Sequence, residues 1–202
     1  AESMMSAGMR FAPMSMHRIG VWNNQLKSLQ RNPCLRNPEY GEKIRQDVEK
    51  TVAMSKRYFP ARYYSGDENS LGHYGSAHDF CQSPWCLAGF RKAMREKYGS
   101  LESLNRIWKA SFRNWDDVMP MTLKEANESG NPVPWFEHRL YMMNAVSDAL
   151  ARVKQELEKA APGAKLGFSG QLITDLHGAF NWFEALKYVD CPTAYIRGTD
   201  GL

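Results

Sequence analysis

Residues 61–70 read Ala61-Arg62-Tyr63-Tyr64-Ser65-Gly66-Asp67-Glu68-Asn69-Ser70. Ala61–Ser65 is short and aromatic, the composition that favours a half-buried pleated strand. Gly66–Ser70 is too dense in polar groups to be core, so the strand is predicted to stop there and release a loop. Ahead of it, Asn37 is a good N-cap and Pro38 suits the first helical position. Tyr40, Ile44, Val48, Val52 and Met54/Ser55 then recur at helical spacing, which predicts an amphipathic helix to about Arg57. A helix therefore delivers the chain into a strand, and the strand ends on carboxylates.

The same alternation extends in both directions. Residues 9–22 carry apolar residues broken by Pro13, His17 and Gly20, a strand followed by an irregular segment. Residues 84–98 predict a helix with Pro84 near its start, Leu87, Phe90, Met94 and Tyr98 on one face, and Gly99 at its end. Leu101, Leu104, Ile107 and Trp108 mark a short third helix. Residues 113–134, with Pro120, Gly130, Pro132 and Pro134, read as a long excursion, and Phe136–Ala160 as the longest helix, stopped by Pro162-Gly163. Residues 165–170 and 191–196 read as strands, with a short helix from Trp182 to Tyr188 between them.

Strand and helix alternating in this way favour a parallel sheet in the α/β class. Long segments after the strands, and no Gly-x-Gly-x-x-Gly after any of them, suit a barrel better than a dinucleotide-binding sheet. About four strands are readable, half of what an eight-stranded barrel needs. Residues 1–202 are thus expected to be a single partial barrel domain. No internal repeat is found.

Composition narrows the class further. Hydrophobic residues make up 43% and charged residues 24%, ordinary globular usage that argues against disorder. The net charge of +4 is spread along the chain without a basic block, so no nucleic-acid partner is expected. No apolar run approaches the ~18 residues that cross a bilayer, so no membrane partner is expected either. Ala1–Met5 lacks a charged stretch followed by an apolar one and is not read as a signal peptide. Because position 1 is not Met, a processed product or an excerpt is expected. Compartment and oligomeric state stay open, with self-association an option.

Glu68 carries the sharpest chemical signal. A carboxylate just past a strand lies on the face where barrels of this kind place their reacting groups. Cleaving a glycosidic bond needs a proton on the leaving oxygen, and a Glu can supply it. By spacing alone, a Glu in a polar loop is most often only solvated. The neighbourhood changes that weighting. Cys34-Leu35-Arg36-Asn37-Pro38-Glu39-Tyr40, a helix, then a strand ending in Asp67-Glu68 resembles the family 42 glycoside hydrolases, mostly β-galactosidases. Their pattern there is C-P-N-S-P-x-Y, a helix, and a strand ending in Asn-Glu. Phe90-Arg91 through Tyr98-Gly99-Ser100-Leu101 to Leu104-Asn105 is similar to their F-R-x-W-L-x-x-x-Y-G-T-L-x-x-L-N. Trp115 to Pro120 follows their W-x-x-V-x-P. The likeness covers roughly residues 32–120 and is looser beyond.

The resemblance implies part of a (β/α)8 barrel, approximately strands three to six, and a retaining glycosidase acting on a β-galactoside or related oligosaccharide. It implies Glu68 as general acid/base and Tyr195 as an active-site tyrosine near the end of strand six. Asp67 stands where the family has an Asn that contacts the sugar 2-hydroxyl; it can accept from that hydroxyl but cannot donate. The family's nucleophile is a Glu on strand seven, which is expected beyond Leu202; Asp175, Glu184 and Asp200 are not assigned to that role. A catalytically inactive, carbohydrate-binding or structural relative is the rival reading. Trp22, Trp115 and Trp182 are candidate platforms for a sugar face, although most Trp residues in such barrels are simply packed.

No cofactor is needed for the chemistry. Family members often hold zinc with one Cys from the first motif and three from a later C-x-C-x-x-C. Cys34, Cys81 and Cys86 match three of these positions, and Ser83 replaces the fourth. Three thiolates need a further ligand, for which His78, Asp79 or water are options. Buried free thiols and a Cys81–Cys86 disulfide remain alternatives, and Cys191 is expected to be plain core.

Overall fold

The structure, a computed structural model, describes residues 6–7, 11–20, 29–72, 79, 81–171 and 180–194. Helix α1 (Pro38–Ser55) opens on Asn37, whose Oδ1 accepts the Glu39 N–H at 3.0 Å, with Pro38 in the first turn as read. Its buried stripe is Tyr40, Ile44, Val48 and Val52. A 3₁₀ turn, Lys56–Tyr58, and a left-handed Phe59 (φ 48°) lead into β1 (Arg62–Asp67). The strand therefore outlasts its aromatic run: Gly66 and Asp67 belong to it, because the neighbouring strand pairs as far as Asp67.

Next come α2 (Pro84–Tyr98), α3 (Leu101–Trp108), a 3₁₀ turn at Trp115–Asp117, α4 (Leu123–Ser129) and the long α5 (Val133–Ala160). Then follow β2 (Lys165–Gln171), α6 (Trp182–Ala185) and β3 (Cys191–Ala194). Residues 113–134 are thus more ordered than an excursion. Thr122 and Glu125 close a reciprocal capping box that starts α4. Pro134 fits the first turn of α5, where its missing N–H forfeits no helical bond, so that helix begins three residues before Phe136.

The three strands form a parallel sheet in the order β1-β2-β3. Each strand neighbours the next in sequence, with no reversal of order of the kind that marks a doubly wound sheet. On the other edge of β1, residues 13–17 run alongside: Tyr64 N–H donates to Pro13 O, and Met16 and His17 N–H donate to Tyr64 O and Ser65 O, each at 2.8 Å. This segment was expected to contain a strand; it keeps the pairing without regular strand geometry, since Tyr64 bonds Pro13 O and Met16 N–H, three residues apart where a regular parallel ladder uses residues two apart. Close approach also shapes the sheet. A Cβ on Gly167 would stand 2.8 Å from the Tyr64 ring and 2.9 Å from Cys191 O.

The main core lies between the sheet and helices α1 and α5. Ile44, Val48, Leu150, Val153 and Leu157 pack there with Tyr63, Leu166 and Phe168. The β1–α5 connection builds a second core of Phe90, Met94, Leu104, Trp108 and Val118. Buried Glu137 ties it to α5, accepting from Lys97 Nζ and Tyr98 Oη at 2.7 Å each. Among the described residues, no helix is long and apolar enough to cross a membrane.

Candidate active site and thiol cluster

Glu68 follows the last residue of β1, on the C-terminal side of the parallel sheet. Its backbone is left-handed, φ 48°, a conformation that costs a non-glycine residue energy. Several contacts hold it. Glu68 N–H donates to Ser169 O on β2 at 3.0 Å, and Arg18 Nη2 donates to Glu68 O at 3.4 Å. The same Nη2 stands 3.9 Å from Glu68 Oε2, and the Glu68 side chain is 37% exposed. Asp67 reaches the same β2 residue, accepting from Ser169 Oγ at 3.0 Å. Both carboxylate residues are thus anchored to position 169, one through its side chain and one through its backbone.

Asn69, fully buried, laces this turn to residues 18–20. Its Oδ1 accepts from Ile19 N–H at 2.8 Å, and its Nδ2 donates to Ser65 Oγ at 3.2 Å and Gly66 O at 3.1 Å. Ser70 N–H adds a bond to Ile19 O at 2.6 Å. Arg18, Asn69 and Ser169 were not singled out from sequence. Asn69 carried a weak signal, an uncharged amide directly after two acids; Arg18 carried none.

The other expected site residues are only partly located. Trp182 packs its ring on Phe168 and Phe180, at centroid distances of 5.4 and 5.2 Å, and stays half-buried. Trp22 and Tyr195 lie outside the described residues, as do Asp175 and Asp200, the two carboxylates left unassigned there.

The three cysteines do converge. Cys34 lies just before α1, and Cys81 and Cys86 flank the start of α2. Their sulfurs all lie within 4.8 Å of one another, in full burial. Cys34 Sγ is 3.3 Å from Cys86 Sγ and accepts from Ser83 Oγ at 2.9 Å and Arg36 N–H at 3.4 Å. Arg31 N–H donates to Cys81 Sγ at 3.3 Å. All the cysteines are free thiols, so the cluster takes the place of a Cys81–Cys86 disulfide. Cys191 is only half-buried at the start of β3, not the core residue expected, since its strand lies at the edge of the described sheet. Asp79 is committed elsewhere: its Oδ1 accepts from Leu123 N–H at 2.7 Å and Trp135 Nε1 at 3.0 Å. His78 lies outside the described residues.

The donor set suits zinc, which takes thiolates in tetrahedral array. Charge supports this. Arg31 is 2% exposed, and its guanidinium meets the carbonyl oxygens of Leu71 and Pro33 and the Tyr40 ring. A buried cation surrounded by neutral groups needs a nearby counter-charge. The sulfurs can supply it: hydrogen bonds from Cys81, then Cys86, pull the Cys34 thiol far below its ordinary range.

The family model for glycoside hydrolase family 42, described as β-galactosidase, matches residues 22–196. β-Galactosidase BgaA of a Thermus species is 30% identical over 146 residues, 66% of this chain and 21% of that protein. β-Galactosidase bgaB of Geobacillus kaustophilus is 25% identical over 168 residues, 79% of this chain and 23% of that protein. The chain spans between a fifth and a quarter of the length of these curated relatives. The crystal structure of β-galactosidase from Bacillus circulans sp. alkalophilus superposes with a TM-score of 0.64 at 18% identity, over 93% of this chain and 28% of that one. That likeness is one of fold, the barrel of the glycosidases.

Proposed function

The chain belongs to glycoside hydrolase family 42, the β-galactosidase family, and from that membership we propose that it carries the general acid/base of a retaining β-galactosidase-like hydrolase. Residues 13–20, β1, β2 and β3 then correspond to strands three to six of a (β/α)8 barrel. Residues 1–202 form one partial barrel domain. The substrate is a β-galactoside or related oligosaccharide, and no cofactor enters the chemistry.

The observation that carries this reading is the placement of Glu68. It stands one residue past the C-terminal end of β1, in a left-handed turn tied to Ser169 and Arg18. Glu68 protonates the leaving oxygen as the glycosidic bond breaks, then takes the proton of the water that attacks the glycosyl-enzyme. The nucleophilic carboxylate of that double displacement is expected on strand seven, outside residues 1–202. Asp67, a pure acceptor, faces a sugar hydroxyl that donates. Trp22 and Trp182 are assigned to the sugar face, and Tyr195 to the active site as the tyrosine that positions the nucleophile. Cys34, Cys81 and Cys86 would hold a structural zinc that pins the start of α2 to the start of α1; its contribution is to folding, not to bond cleavage.

The test is Glu68→Gln in the full-length polypeptide, which keeps shape and loses proton transfer. Turnover of an unactivated β-galactoside should fall by a factor on the order of 10²–10⁴. A nitrophenyl substrate needs little protonation in the first step, so azide, a nucleophile requiring no base, should restore its turnover and give the β-glycosyl azide. Full activity of the variant on the unactivated substrate would refute the assignment.

A further inference from the structure

Ser83 is buried at the first turn of α2, between the two cysteines of that segment. Its hydroxyl donates to Cys34 Sγ at 2.9 Å and accepts the Cys86 N–H at 3.2 Å. A hydroxyl has two lone pairs, so one acceptor site remains at the edge of the sulfur cluster. Two described polar side chains of this segment's surroundings have partners of their own. Asp79 Oδ1 is committed to Leu123 and Trp135, and His138 Nε2 faces the Cys81 carbonyl at 3.1 Å.

We propose that Ser83 Oγ is the fourth ligand of this site, so that a thiophilic divalent ion is held by three thiolates and one hydroxyl oxygen. This rests on the reading that Cys34, Cys81 and Cys86 bind metal. Size permits it. Zinc–sulfur bonds of about 2.3 Å and a zinc–oxygen bond of about 2.0 Å set tetrahedral edges of about 3.8 Å between sulfurs and about 3.5 Å from sulfur to oxygen. The Cys34–Cys86 and Ser83–Cys34 separations of 3.3 and 2.9 Å lie about half an ångström inside those edges, so the cluster has to open only slightly. The ligating thiols release their protons to solvent as the ion enters.

Charge favours the hydroxyl over a fourth thiolate. A dication with three thiolates carries one net negative charge, which the buried guanidinium of Arg31, within electrostatic reach of Cys81 and Cys34, balances. A fourth thiolate would double that charge. Arg36 does not make up the difference, because its own guanidinium is paired with Asp148 at 2.7 Å. Ser83 therefore does two things at one position: it caps α2 and closes the coordination sphere with a neutral oxygen.

Cobalt(II) titration of the full-length polypeptide tests this, with Cys34→Ser as the background and two variants at position 83. The unaltered protein should show a tetrahedral cobalt spectrum with sulfur-to-cobalt charge-transfer intensity about three quarters of that of Ser83→Cys, following the thiolate count. Ser83→Ala should bind cobalt more weakly, by a factor on the order of 10–100. Ser83→Cys guards against a variant that merely loses the helix cap, because its expected change is a gain of intensity. Equal intensity in the unaltered protein and Ser83→Cys, or unchanged affinity and spectrum in Ser83→Ala, overturns the role of Ser83 alone. No cobalt uptake by the unaltered protein beyond the Cys34→Ser background overturns the metal site itself.

Discussion

Replacing Gly66 with alanine should loosen the edge that holds the candidate acid/base, and the structure says why. A Cβ at Gly66 would lie 2.7 Å from Arg18 Cβ, 2.9 Å from its Cγ and 3.0 Å from its Cα. Only the Cγ contact can be relieved by turning the arginine; the other two belong to atoms fixed by the backbone. Either β1 or the segment beside it must move. Overpacking of this kind costs about 1–3 kcal/mol. The penalty falls on the pairing of residues 13–17 with β1, which rests on the Met16 and His17 amides bonded to Tyr64 O and Ser65 O. Hydrogen exchange reads that pairing directly, and the same free energy translates into exchange faster by roughly 5- to 150-fold at these two amides. Adding Arg18→Ala should leave most of the effect in place, because Cβ and Cα remain. Arg18→Gly should relieve much of it by removing the nearest atom. Gly99→Ala is the control: its strain, at φ 71° with nothing within 4 Å of the new methyl, is purely conformational and should leave Met16 and His17 unchanged. Unaltered exchange at Met16 and His17 in Gly66→Ala would refute the steric argument. So would an equal acceleration in Gly99→Ala.

Two further outcomes follow from burial. Burial holds His17 below its ordinary pKa of 6.5, against the opposing hydrogen bond that its Nδ1 donates to Asp47, with Tyr40, Lys43 and Arg31 as its other polar neighbours. The unfolded chain therefore binds this proton more readily. The stabilisation is present above about pH 6.5 and is lost as pH falls below it, so the drop in urea midpoint between pH 7 and pH 5 should be shallower in His17→Gln. Phe90→Ala should cost about 3–5 kcal/mol in the second core; limited proteolysis should then open residues 81–135 while α1, α5 and the sheet stay protected, and uniform cleavage across the chain would show that the two cores unfold as one.

What could be read from sequence was local, and what could not was held by long-range contacts. Helix α1 declared itself through Asn37-Pro38 and a four-residue apolar repeat, because cap and stripe lie within a single element. The thiols declared themselves only through the resemblance to family 42, whose zinc-ligand positions Cys34, Cys81 and Cys86 match. Helix α4 had its signal, Thr122 with Glu125 three residues on, but Pro120, Gly130, Pro132 and Pro134 around it spoke for a loop. The strand in residues 9–22 was half right: its hydrogen bonds to β1 exist, yet an extra residue between Pro13 and Met16 breaks the regular ladder. Arg18 was invisible because its relation to Glu68 spans fifty residues and depends on two glycines, Gly66 and Gly20, leaving room for its side chain.

The same long-range contacts explain how a strained residue can persist at the site. A left-handed glutamate costs about 1–3 kcal/mol. Against it stand the Glu68 N–H bond to Ser169 O, the three bonds of the Asn69 amide and the Ser70 N–H bond to Ile19 O. Each such bond contributes about 0.5–1.5 kcal/mol net, so together they offset the strain with some margin. None of them uses the Glu68 carboxylate, which among the described residues meets Arg18 Nη2 at 3.9 Å. Among the described residues, the bonds that hold the turn thus run through the backbone of Glu68 and the side chain of Asn69 and not through the Glu68 carboxylate. That division is what makes Glu68→Gln a chemical test and not a structural one: the substitution removes a transferable proton while every bond that shapes the turn remains.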